Sequence, residues 1–342
     1  DMSTGKLITW DDYPGGGWKT WMAGGSDDAG LGSAVYVSEK NVTAPDKEQI
    51  ESLDYYIENF IWGYMQKHDT YEIYRWYDGK EGTPSDQGTW RSYNYIHIAN
   101  TYYNMYQIAK DYPGTTKLSA DEYLLRGYKT LKAMFTYGMF DGKNYSNGGQ
   151  GAYVFGAMGE MNLPEILEAL QTENHNDEYN WLKEKITKKM ETLFAEDYPF
   201  ASEMSIDTTG FESCYTLAKM FGNTEMAEKV MKASLACRGV QPLWYYYGSD
   251  NRHMGESWWN LGYETQLGAW QQQDYLYEYM DADDDEFDEY MRGTYGAYLA
   301  GWSNINVGQI SDNEANYGAS AWQYQSEKGT NEYSYIPSLD GW

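Results

Sequence analysis

Cysteine is nearly missing from this chain of 342 residues. The two present, Cys214 and Cys237, are too few to staple a scaffold. They flank an expected helical hairpin turning at Gly222-Asn223, which leaves both a disulfide and two buried thiols open. Histidine is scarce too, with 4 residues and none at metal-ligand spacing with cysteine, so no metal and no cofactor is expected. Positive charge is the third shortage. Lys+Arg number 25 against 52 Asp+Glu, a formal net charge of −27. Such a field repels phosphate backbones and anionic lipid, which excludes nucleic acid as a partner and makes a uronic-acid polymer an awkward ligand. No apolar run approaches bilayer length, so no membrane insertion is expected. No signal-like segment stands at Asp1; the sequence reads as a mature or excised fragment, which leaves room for further domains of a larger chain. P-loop, nucleophile-elbow and HExxH patterns are absent, and GGQGAYV lacks the last glycine of a dinucleotide fingerprint. DADDDEFDEY lacks the glycine and terminal glutamate of a calcium loop and reads as the acidic start of a helix.

What the chain has is aromatics with a polar handle: 36 tyrosines and 14 tryptophans against 9 phenylalanines. Such rings offer flat apolar faces and one donor each, which suits both a helical core and sugar rings. The first stretch, residues 1–44, is Gly-rich and reads as irregular, with a short strand at Ala34–Val37. From Pro45, placed in the first turn of a helix, a 3.6-residue period takes over; Ile50, Leu53, Ile57, Phe60, Ile61 and Tyr64 share one face. Further helices are expected at 95–110, at 119–137 behind a Ser119/Glu122 capping box, and from an Asn162/Glu165 box through Leu170. Others are expected around Ile186, from Phe211 to a stop at Gly222, and over 224–236, 256–280, 285–302 and 314–325. The helices around Ile186 and Val230 carry a charged face, whereas those around Gly262–Ala269 and Ala315–Ala321 are rich in small residues. Charged outer helices alternating with closely packed inner ones predict an all-α fold of two concentric rings, an (α/α)6-like toroid of hairpins over 45–342.

Polar, aromatic loops precede the expected inner helices, where a rigid scaffold gathers function at one rim. Paired carboxylates in such loops could act as acid and base on a glycosidic bond. Glu160, in a Gly-Met setting, is the first candidate for a protonated acid, and helix-dipole pairing explains it equally well. Glu203 or Asp207 is a candidate base, although Asp207 also fits a helix cap. Glu165 and Glu212 are discounted, the one as a capping-box member and the other as a helix-start carboxylate. Trp244, Tyr246 and Trp258 are candidates for a sugar platform. Asp250, Arg252 and Glu256 beside them, and Asp27 and Asp28 in GGSDDAG, are candidates for hydroxyl binding. Arg91, Tyr93, Asn94 and His97 carry the residue types of an eliminating base and a uronate clamp.

The stretches GGSDDAGL, RSYNYIHIANTYYNMYQIA, MGEMNLPEIL, SEMSIDTTGFE and ACRGVQPLWYYYGSDNRHMGESWW resemble the six-hairpin glycosidase superfamily. Within it they are most similar to a largely uncharacterised bacterial and fungal family. The resemblance spans most of the chain and implies an α/α toroid acting on glycans, often with two rim carboxylates. It does not choose among the candidates. The expected function is therefore a glycoside hydrolase on a neutral oligo- or polysaccharide. A polysaccharide lyase and a non-catalytic glycan-binding module are the alternatives. Acidity, aromatic load and this resemblance together predict a secreted or cell-surface protein.

Overall fold

A computed structural model describes residues 31–74, 89, 92–139, 149, 151–157, 159–200, 208–236, 265–305, 321–324 and 335–337. They fall into two compact units, Asp1–Val154 with Asn162–Lys189, and Phe155–Met161 with Met190–Trp342.

The first unit is built on a helical hairpin. Helix α3 (Ser92–Asp111) is buried at every residue from Ser92 to Tyr106. It therefore has no solvent face, and its many tyrosines are core residues rather than surface ones. Helix α4 (Ala120–Tyr137) packs along it. Its start is fixed as expected: Ser119 accepts from the Glu122 N–H, and the Glu122 carboxylate reaches back to the Ser119 N–H. Gly127 sits where the two helices meet, and a Cβ there would stand 3.4 Å from the Ala99 carbonyl oxygen and 3.5 Å from the Tyr102 Cβ.

Three expectations fail in this unit. The strand expected at Ala34–Val37, in the segment expected to be irregular, is part of helix α1 (Gly32–Thr43). Leu31, Ala34, Ser38 and Asn41 are buried at helical spacing, and Ser38 accepts a hydrogen bond from Asn104 on α3. Packing on α3 overrides the β preference of Val35 and Val37. Helix α2 (Lys47–Tyr56) is capped by Asp46, whose side chain accepts from the Gln49 N–H, so Pro45 lies before the helix and not in its first turn. It continues as a π-helix over Ile57–Met65. The Asn162/Glu165 box does not form. A 3₁₀ turn over Glu160–Asn162 leads straight into α6 (Leu163–Thr172), and Asn162, itself in helical conformation, makes no cap bond. The short α5 (Gly151–Val154) and the amphipathic α7 (Asn176–Phe194) complete the helices of this region, α7 running on into the second unit.

In the second unit, α8 (Thr208–Met220) and α9 (Thr224–Ala236) form the hairpin expected about Gly222. The α8 helix is buried from Gly210 to Ala218 and also packs against α10 (Thr265–Tyr279), which pairs with α11 (Phe287–Ile305). The helix expected over 314–325 is contradicted at Ala321–Tyr324, a strand paired antiparallel with Tyr335–Pro337. Trp322 and Tyr324, aromatics that favour a strand, alternate there with Ala321 and Gln323. The Cys214 thiol is buried and donates to the Pro199 carbonyl, and Cys237 lies outside the described residues.

Candidate functional site

The chemistry of the second unit gathers where α8 grips the turn at Ala157–Met161. Gly159 adopts φ 80°, a left-handed conformation that glycine takes without strain, and this aims successive N–H groups of the turn inward. Two glutamates fill that turn. Glu160 is 1% exposed, and its Oε2 accepts from the Ala157 N–H at 3.0 Å. Glu212, in the second turn of α8, is 2% exposed and accepts from the Gly159 N–H at 2.9 Å. The next residue, Ser213, donates to the Ala157 carbonyl at 3.0 Å, so helix and turn are held from both sides. Phe211, the residue before Glu212, meets Phe200 obliquely, 5.3 Å between ring centres, and both rings are buried.

The electrostatics follow from that burial. Desolvation is the largest cause that raises Glu212, and the charge of Glu160 adds to it. The N–H groups of Met161, Gly159 and Glu160 pull the other way, yet the carboxyl is still pushed up to about 8. A carboxylic acid that keeps its proton near neutrality, beside a second carboxyl group, is the pattern of a general acid. Sequence reasoning had discounted Glu212 as a helix-start carboxylate. A signal was present: it is the lone charge between Thr208 and Ala218, set in the run GFESCYTLA, where a solvated helix face would carry several.

The remaining candidates are distributed as follows. Tyr93, Asn94 and His97 lie in the first turns of α3, in the first unit. Tyr93 is 1% and His97 4% exposed, and their i, i+4 spacing puts them on one helix face. Glu165 is exposed on α6. Glu203, Asp207, Asp27, Asp28, Arg91, Trp244, Tyr246, Asp250, Arg252, Glu256 and Trp258 lie outside the described residues. Among the described residues no group of three or more His, Cys, Asp or Glu side chains is arranged to hold a metal, and no helix is long and apolar enough to cross a membrane.

No curated protein matches the chain. Solved structures do, at low identity. A polysaccharide lyase superposes with a TM-score of 0.62 at 18% identity, over 99% of this chain and 48% of its own. The chain thus spans about half the length of that lyase. A cellobiose 2-epimerase from Bacillus thermoamylovorans superposes with a TM-score of 0.56 at 13% identity, over 97% of this chain and 87% of its own. These likenesses show the fold, a helical α/α toroid. The model of a family of unknown function, DUF5695, matches residues 12–78 and 74–308, and the chain belongs to that family.

Proposed function

We propose that this protein is a carbohydrate-active enzyme, a glycoside hydrolase in which Glu212 is the proton donor. The observation that carries the reading is the buried Glu160–Glu212 pair, with Glu212 raised to about 8. In this mechanism protonated Glu212 gives its proton to the glycosidic oxygen as the bond to the anomeric carbon breaks, and is left as a carboxylate. Water adds to that carbon and loses a proton to a second carboxylate, which returns the proton inventory to its start. Glu203 and Asp207 stand just before α8 in sequence and are the candidates for that base. Burial, with a smaller contribution from the neighbouring Glu160, keeps Glu212 protonated. A neutral oligo- or polysaccharide suits a chain of net charge −27, and a glycan substrate supports a secreted or cell-surface location.

A second reading, β-elimination on a uronate, is favoured by one observation: Tyr93 and His97 share a buried helix face in a fold that superposes on a polysaccharide lyase. The test separates the two. The purified chain is incubated with a panel of neutral and uronic-acid glycans, and products are read by mass. Hydrolysis adds one water per bond cleaved; elimination adds none and leaves a double bond that absorbs in the ultraviolet. For hydrolysis, Glu212→Gln is expected to lower turnover by about 10²-fold or more. Glu160→Gln is expected to move the alkaline limb of the pH profile down, because it removes a charge that raises Glu212. Full activity in both variants would remove the pair from the mechanism.

A further inference from the structure

Helices α10 and α11 enclose a groove of about 560 Å³ that shares no residue with the Glu160–Glu212 pair. From α10 it takes Gln273, Leu276 and Tyr277, and from α11 Met291, Thr294, Tyr295 and Tyr298. Both sets follow helical spacing, so each helix gives one continuous face to the groove. The volume lies in the ordinary range for small-molecule and saccharide sites.

Three features of the lining define an occupant. Its aromatic residues are open to solvent: Tyr277 is 80%, Tyr295 59% and Tyr298 47% exposed. Tyr295 and Tyr298 lie near-parallel at 21°, with ring centres 6.3 Å apart, and each ring carries a hydroxyl. The second feature is Gln273, an exposed amide of the lining that can both donate and accept. The third is charge. In a chain with 52 acidic residues, Asp281 is the one charged residue of the lining among the described residues. That suits a neutral ligand, and the net charge of −27 opposes a second copy of the chain.

We infer that this groove is a second binding site, for a neutral oligosaccharide stacked on the tyrosines and hydrogen-bonded to Gln273. Flat C–H faces ringed by hydroxyls match both halves of the lining. The choice of ligand class rests on the carbohydrate reading above, and the position and chemistry of the groove do not. A site apart from the chemistry would hold a polymer on the enzyme while the carboxylates act on one bond.

The test is affinity electrophoresis of the intact chain through native gels cast with hydroxyethyl cellulose, mixed-linkage β-glucan, galactomannan or glycogen. At least one gel is expected to retard the wild type. Tyr277→Ala with Tyr295→Ala is expected to weaken that retention at least about tenfold. The double variant should keep the wild-type melting temperature, since both side chains are exposed. Glu212→Gln should be retained like the wild type. If retention fails in Glu212→Gln and persists in the tyrosine variant, binding belongs to the carboxylate centre and the inference is overturned. No retardation in any gel overturns it as well. So does a concentration-dependent dimer in sedimentation that the tyrosine changes abolish. Product formation, measured separately, decides the hydrolase reading, so the two can fail independently.

Discussion

Glu212 ties protonation to folding. Its folded-state pKa, about 8 against an ordinary 4.5, means that the native chain holds a proton that the unfolded chain releases over that interval. Stability contributed by the protonated form is fully present below about pH 4.5 and is lost as pH rises toward 8. Thermal melts across this window should show the melting temperature falling with pH. Glu212→Gln, which cannot titrate, should flatten that dependence. An unchanged slope in the variant would mean that other groups dominate and that Glu212 ionises freely. Asp54 shows a different solution to the same problem in the first unit. Burial raises it, and it is satisfied by the Tyr123 hydroxyl and the Lys117 N–H. Nothing in the sequence separates the two acids. Each stands in an aromatic or apolar context, and only the fold brings a second carboxyl group to one and a phenol to the other.

The contact between α3 and α4 leaves room for little more than a methyl group at Gly127. An alanine there meets ordinary contacts and gains helix propensity, so Gly127→Ala should fold at least as well as the parent. A branched side chain meets the Ala99 carbonyl and Tyr102, and Gly127→Val should cost about 1–3 kcal/mol in chemical denaturation. Equal stability of the two variants would refute this close approach. The helix ends governed by local chemistry were legible in sequence. The Ser119/Glu122 box sets the start of α4, and Gly222 and Thr224 bracket the turn into α9, because each signal is complete within a few residues. Elements decided at long range were not. Val35 and Val37 look like a strand until α3 supplies a partner, and Asn162 looks like a cap until the 3₁₀ turn before it fixes its backbone. The functional loops were legible as places. The pairing of Glu160 with Glu212, 52 positions apart, was not, because no local pattern encodes a contact between a turn and a helix.

A net charge of −27 acts on the whole molecule as self-repulsion. Raising salt from about 0.01 M to about 1 M shortens the screening length from ~30 Å to ~3 Å. The melting temperature should therefore rise with sodium chloride, and a fall would show that attractive ion pairs outweigh the net field. The core carries a different liability. Tyr93, Tyr95, Tyr102, Tyr123 and Tyr215 are all fully buried. Burial pushes Tyr128 and Tyr275 up to about 12, and Tyr95, Tyr102, Tyr123 and Tyr215 higher still. Where other proteins fill such positions with leucine, which is indifferent to hydroxide, this interior is built from weak acids. In strong alkali its phenols cannot ionise one at a time without bringing charge into the core. The buried phenols' share of the tyrosinate absorbance should therefore appear in one step, together with the loss of helical circular dichroism, so that base dissolves this fold from the inside.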